Sequence, residues 1–401
     1  MRIIVLQIAL PLLKLKDKIL LPIAQGGMGV GISAHRLAGS VAKSGALGTI
    51  SSVDLRRHHP DLMARTDASR DKELIDSVNL IALDREIKAA RVLADGRGIL
   101  AVNVMRAVSE YAASVRQACA SGIDAIVVGA GLPLDLPELT AQYPKVALIP
   151  ILSDVRGIGL VLKKWMRKNR LPDAIVIENP RYAGGHLGAA NPQDVSDPHF
   201  AFPTVLEGTL ELFKQLGLER ERIPLIAAGG INNHQEVREL FALGASAVQL
   251  GTPFAVTTEG DAHPNFKKVL VEARPEDIVT FISNTGLPAR AVRTPWLANY
   301  LDKEVKLKSI AKVKPCTVGF DCLLQCGWRD GIAKAGQFCI DTQLAFAMNG
   351  DIKRGLFFRG SEELPFGSAI RSAQELIQYM LTGRYPADLT NQTLERHLLP
   401  I

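Results

Sequence analysis

Aromatic residues make up only 5% of this chain, and cysteine only five of its 401 residues. So few thiols exclude a disulfide scaffold, and so few rings exclude a core built on large aromatic side chains. No glycine-rich dinucleotide fingerprint, internal repeat or low-complexity tract is present. The apolar N-terminal stretch from Met1 to Leu13 has no small-residue cleavage site after it and runs directly into Lys14, Lys16 and Lys18. It is too short to span a bilayer, so neither a signal peptide nor a membrane partner is expected and the default location is cytoplasmic. A strong charge of one sign is also lacking: the formal net charge is +6, spread along the chain. The one basic run, Lys163 to Arg170, has no aromatic platform or nucleic-acid motif beside it. It reads as a solvated helix face, and no nucleic acid is expected as a partner.

What is abundant is small and apolar. Hydrophobic residues reach 47%, charged residues only 22%, and there are 34 glycines. That balance supports a large core and suits an α/β enzyme whose backbone approaches a ligand closely. Short apolar runs alternate with longer amphipathic stretches, the pattern of a parallel sheet wrapped by helices. Eight strands are predicted: Ile19–Ala24, Leu47–Ser51, Ile99–Val104, Ala125–Gly129, Ala147–Leu152, Ala174–Ile177, Leu225–Ala228 and Ala247–Leu250. Helices are predicted between them, for example over Ser109–Ala120 and Asn233–Leu243. Eight such units close into a (β/α)8 TIM barrel over residues 1–254. The rhythm then stops, and residues 255–401 read as a mainly helical cap with a helix at Ser372–Leu381.

In such barrels chemistry sits where strands end. Here those ends carry Gln25-Gly-Gly-Met-Gly29, Asn103, Ser153-Asp154, Gly229-Gly230 and Gly251-Thr252. Glycines after the last two strands let backbone N–H groups point at a phosphate, with Gln249 and Thr252 as further hydrogen-bonding groups. No acidic metal ligands accompany them, which favours FMN over a sugar phosphate that needs Mg²⁺. His186 stands between Gly184-Gly185 and Gly188, where a planar ring system can approach. Imidazole is the natural group for moving a proton near neutral pH, yet a histidine in a glycine-rich loop also serves structure; composition leaves both open.

Leu21-Pro-Ile-Ala-Gln-Gly-Gly-Met28, Ala183-Gly-Gly-His-Leu-Gly188, Ile226-Ala-Ala-Gly-Gly-Ile231 and Gln249-Leu-Gly-Thr252 resemble the nitronate monooxygenase family. Its neighbours include FMN-dependent enoyl reductases and NADH:quinone reductases. The resemblance implies non-covalent FMN surrounded by Met28, Asn103, Gly185, Gly229, Gly230, Gln249, Gly251 and Thr252. It also implies that His186 takes the α-proton of a nitroalkane or contacts the nitronate anion, with O2 as co-substrate. The alternative is an NAD(P)H-dependent reductase of enoyl thioesters or quinones. Family members often carry Glu-Ala before Gly-Gly-His, whereas this chain has Tyr182-Ala183, so a carboxylate there is lost.

Four of the five cysteines are clustered as Cys316-x5-Cys322-x3-Cys326-x12-Cys339. Four thiolates so close could hold zinc or an iron–sulfur cluster, although the spacing is that of neither the usual zinc pairs nor the familiar ferredoxin runs. The alternative is ordinary packing in the cap, as for Cys119 in its helix. The segment Gly355–Gly367 reads as an ordered loop that contacts the barrel mouth or a second subunit, which makes a homodimer the oligomeric expectation.

Overall fold

The structure, a computed structural model, describes residues 10–186, 188–218 and 223–386. Eight parallel strands close into a barrel: β1 (Ile23–Gln25), β2 (Leu47–Ser51), β3 (Ile99–Met105), β4 (Ala125–Gly129), β5 (Ala147–Leu152), β6 (Ile175–Glu178), β7 (Leu225–Ala228) and β8 (Ala247–Leu250). Each pairs with the next, β6 with β7 and β8 with β1 included, so no edge remains. Every residue of β2, β4 and β7 is buried, because helices cover one face and the barrel interior the other. This is the (β/α)8 barrel that the alternating pattern predicts.

The interior is lined by alanines (Ala24, Ala101, Ala125, Ala147, Ala228 and Ala247) together with aliphatic side chains such as Leu47, Ile99, Ile149 and Ile226. Alanines alone would leave the lower barrel underfilled. Leu13, Leu15 and Leu20 complete the filling from below. They belong to an antiparallel hairpin, Leu13–Leu15 with Lys18–Leu20, whose register sets Leu13 opposite Leu20. The predicted strand Ile19–Ala24 is therefore two elements. Pro22 has no N–H to give a ladder and separates them, and Ile19, 70% exposed, points away from the barrel.

The predicted helices form, as Tyr111–Ala120 and His234–Ala242. Asn233 accepts a hydrogen bond from the Glu236 N–H at 2.9 Å to start His234–Ala242, and Gly244, at φ +105°, follows its end. Asp154, a rim polar residue in the sequence, instead caps Val155–Met166 by accepting from Gly157 N–H. That helix buries Trp165 and exposes Lys163 and Lys164, the solvated face that the basic run suggests.

Beyond β8 the chain crosses the strand ends before returning to the barrel wall. Its last described helix, Ala373–Thr382, opens on a reciprocal Ser372–Glu375 capping box. It packs against His35–Lys43 and His234–Ala242, with His234 Nδ1 2.8 Å from the Met380 carbonyl. A segment from the far end of the sequence thus fills the gap in the helical ring. The intervening part is mainly helical (Pro264–Glu272, Pro295–Ser309, Ile340–Met348) but also holds a hairpin, β9 (Ile278–Ile282) with β10 (Pro288–Val292). β10 pairs in turn with Gly185–His186 in the loop after β6. No helix among the described residues is long and apolar enough to cross a membrane.

Leu15 is fully buried among the inner alanines. Leu15→Ala should cost about 2–5 kcal/mol in denaturant unfolding, the range for a leucine truncated in a core that cannot collapse. A loss under about 1 kcal/mol would show that the hairpin does not fill the barrel.

Candidate active site

At the carboxyl ends of the strands lies a cavity of about 250 Å³. Met28, Asn103, Gly185, Gly229, Gly230, Gln249, Gly251 and Thr252 all line it, so the residues expected around a cofactor are brought together. Its floor comes from the strand ends and its roof from the extension, notably Cys322, Asp341, Phe358 and Gly360.

The floor is shaped by glycine. Gly229 (φ +102°) and Gly230 (φ +81°) hold backbone conformations that a side chain resists. A Cβ on Gly229 would stand 2.8 Å from the Asn179 carbonyl oxygen, and one on Gly230 2.7 Å from Tyr182 Cβ. A Cβ on Gly27 would meet Asn103 Cβ at 2.3 Å. These loops are close-packed against their neighbours while their other side stays open to the cavity.

Polar groups stand at the wall with their hydrogen-bonding capacity unspent. Asn103 and Gln249 are each 9% exposed, and neither side chain has a hydrogen-bond partner among the described residues. A buried amide without a partner costs free energy, so both suit a site completed by a polar ligand.

Two carboxyls of the wall have no role assigned from the sequence: Glu178, which directly follows the sixth predicted strand, and Asp341. Glu178 closes β6, one residue beyond the predicted strand end, and its side chain has no hydrogen-bond partner among the described residues. Burial pushes its carboxyl up to about 7, although it retains accessible surface, because that surface faces the cavity. An acid directly after an apolar run was the available signal. Asp341 comes from the roof and carried no local signal. Burial and the charge of Asp54 raise it to about 7 against the opposing pull of Arg57, whose Nη2 lies 2.6 Å from Asp341 Oδ2.

The loop after β6 is tied down from above. Ala289 pairs with His186 and Arg290 with Gly185. Arg290 Nη1 donates to the Arg181 carbonyl at 2.5 Å and Nη2 to Glu362 at 2.8 Å. The backbone of His186 is thereby fixed at the cavity edge; its side chain lies outside the described residues, as does Leu187. The segment 355–367 caps the mouth, with Gly360 N–H donating to Thr252 Oγ1 at 3.2 Å.

Cys316, Cys322, Cys326 and Cys339 line a second, small cavity, and all four are free thiols. Burial drives the Cys322 thiol well above its usual range, and the charge of Asp341 and the neighbouring cysteines add to it. Among the described residues, no three His, Cys, Asp or Glu side chains are grouped as they would be to hold a metal ion.

A raised carboxyl has a definite stability signature. Between its ordinary 4.5 and about 7, Glu178 keeps its proton in the folded chain while the unfolded chain has lost it, so stability falls as pH rises through that window. Glu178→Gln removes this fall. With bound cofactor stripped, the melting temperature of the variant minus that of wild type should grow from about pH 5 to about pH 8. A difference independent of pH would show that the carboxyl is not desolvated.

Comparison with known proteins agrees with this geometry. A family model described as nitronate monooxygenase matches residues 11–382. A probable nitronate monooxygenase from Bacillus subtilis (strain 168) is 28% identical over 288 residues, covering 69% of this chain and 77% of that protein. Another, from Staphylococcus saprophyticus, is 27% identical over 300 residues, 71% of this chain and 79% of its own length. Among solved structures, FabK from Thermotoga maritima superposes with a TM-score of 0.62 at 22% identity, covering 94% of both chains. Nitroalkane oxidase from Streptomyces ansochromogenes does so with a TM-score of 0.61 at 18% identity, covering 94% of this chain and 97% of that one. Both share the barrel fold. With the family model matched across nearly its whole length, the chain belongs to the nitronate monooxygenase family of oxidoreductases.

Proposed function

We propose that the chain binds FMN in the cavity at the barrel mouth and oxidises alkyl nitronates with O2. The observation that carries this reading is the pair of unpartnered amides, Asn103 and Gln249, beside a glycine floor. Gly229, Gly230, Gly251 and Thr252 would hold the phosphate end, offering backbone N–H groups and a hydroxyl. Asn103, Gln249 and Met28 would hold the ring, two by hydrogen bonds and one by apolar contact. The chemistry that the flavin supplies when bound is acceptance of electrons from substrate and their return to O2.

His186 would take the α-proton of a nitroalkane or pair with the nitronate anion. Its backbone pairing with Ala289 supports this role, since a proton-transfer group must be held within hydrogen-bond reach of its target. The roof partly encloses the cavity, and charge–charge contacts shielded from solvent there are stronger than in water. Where the family resemblance puts a glutamate, this chain has Tyr182, and Glu178 is a carboxyl that the same cavity wall does provide. A carboxyl raised to about 7 can hold or give up a proton near neutral pH.

Anaerobic addition of propyl-2-nitronate should bleach the flavin absorbance of the purified protein, while NADH or NADPH alone should leave it unchanged. Rapid bleaching by a nicotinamide with none by the nitronate would favour the reductase alternative. His186→Ala should lower kcat/KM for the proton-abstraction substrate by about 10²-fold or more at unchanged flavin content. Unchanged turnover would remove His186 from the chemistry.

A further inference from the structure

The cysteine site is separate from the cavity proposed for FMN and needs its own explanation. Cys326 and Cys339 each stand immediately before a helix, Gly327–Asp330 and Ile340–Met348, while Cys316 and Cys322 lie in the irregular chain ahead of them. Folding brings these four positions around one small cavity, and none is joined in a disulfide. Cys119 shows the contrast: alone and 3% exposed, it is a small apolar residue in the core. We propose that Cys316, Cys322, Cys326 and Cys339 ligate a [4Fe–4S] cluster.

The surroundings of the sulfurs support a charged, ligating state. Asn284 is 1% exposed, and the only partner among the described residues for its side-chain N–H is Cys326 Sγ, at 3.6 Å. Thr342 Oγ1 donates to Cys339 Sγ at 3.2 Å. Against a neutral thiol these are weak bonds that repay little for burying an amide. Against a thiolate they are charge-assisted, and hydrogen bonds to sulfur are one means by which proteins tune such clusters. Arg329 lines the same cavity and donates to the carbonyls of Leu323 at 2.9 Å and Leu324 at 3.2 Å. It braces the turn between Cys322 and Cys326, and is itself held by ion pairs with Asp330 at 2.6 Å and Asp321 at 3.5 Å.

The arrangement separates the two metals that four cysteines suggest. Zinc needs all four sulfurs at about 2.3 Å from one centre. The described residues contain no grouping of that kind for a single ion. A cubane cluster gives each thiolate its own iron and requires only that the four ligands line one shared volume, as these four line their cavity. The unusual sequence spacing is then no objection, because one ligand precedes each of two helices rather than all arriving on one loop. Cys322 and Leu323 also line the large cavity, which puts this site in the wall that the two cavities share.

The test is metal content and spectroscopy of the full chain, produced and purified anaerobically with iron and sulfide supplied. Wild type should hold about four iron and about four acid-labile sulfide per chain, without zinc, and show a paramagnetic signal after dithionite reduction. Cys326→Ser and Cys339→Ser should lose most of the iron, whereas Cys119→Ser should keep it. Zinc at about one per chain, iron at about two, or no metal above background in wild type would each overturn the proposal. The wild-type measurement decides even where a serine variant fails to fold, and it is independent of nitronate turnover.

Discussion

Two residues of backbone hold the site together. Gly185 and His186 leave the barrel loop after β6 and pair with Ala289 and Arg290 of β10, a hundred residues further along. Each backbone hydrogen bond contributes only about 1 kcal/mol net, little beside the burial of the barrel core. What the pairing supplies is placement. It fixes the backbone of His186 and hangs the roof over the strand ends. The same loop also meets the segment 355–367, closely enough to demand glycine on both sides: a Cβ on Gly184 would stand 2.9 Å from Gly360 N, and one on Gly360 2.4 Å from the Tyr182 carbonyl oxygen. Remove this contact and the cavity keeps its floor but loses its enclosure.

The two ends of the barrel divide the work. The N-terminal hairpin packs Leu13, Leu15 and Leu20 against the inner alanines and serves stability alone. The opposite end carries glycine loops, unpartnered amides and carboxyls raised by burial, features that cost stability and are kept where ligands bind. The scarcity of aromatic residues fits this division, since the inner layers are made of alanine and aliphatic side chains. Several of the large rings instead pack in the extension, where Trp296, Tyr300 and Phe338 stack and meet edge to face.

Much of this was legible in the chain. Parallel strands buried on both faces are short apolar runs with polar or glycine ends, so β2, β4, β5, β7 and β8 follow directly from the residues. The first strand was harder, because apolar residues on both sides of Pro22 hide a turn. The floor of the site was legible because glycines after strands mark close backbone approach. The roof was not: Asp341, Phe358 and Gly360 reach the cavity only through long-range packing, and nothing near them in sequence announces it. Glu178 fell between the two, a local signal one residue past a predicted boundary. The cysteines were conspicuous by spacing, but the wall they share with the large cavity is a property of the fold.

The central claim is that the strand-end cavity, closed by the extension, is the flavin site. A crystal structure of the protein with FMN bound tests it most directly. It should show the flavin within that cavity, its phosphate in hydrogen-bond reach of the Gly229–Gly230 and Gly251–Thr252 backbone and its ring beside Asn103 and Gln249. Flavin bound elsewhere on the chain, or a strand-end cavity that stays without it at saturating FMN, would contradict the claim.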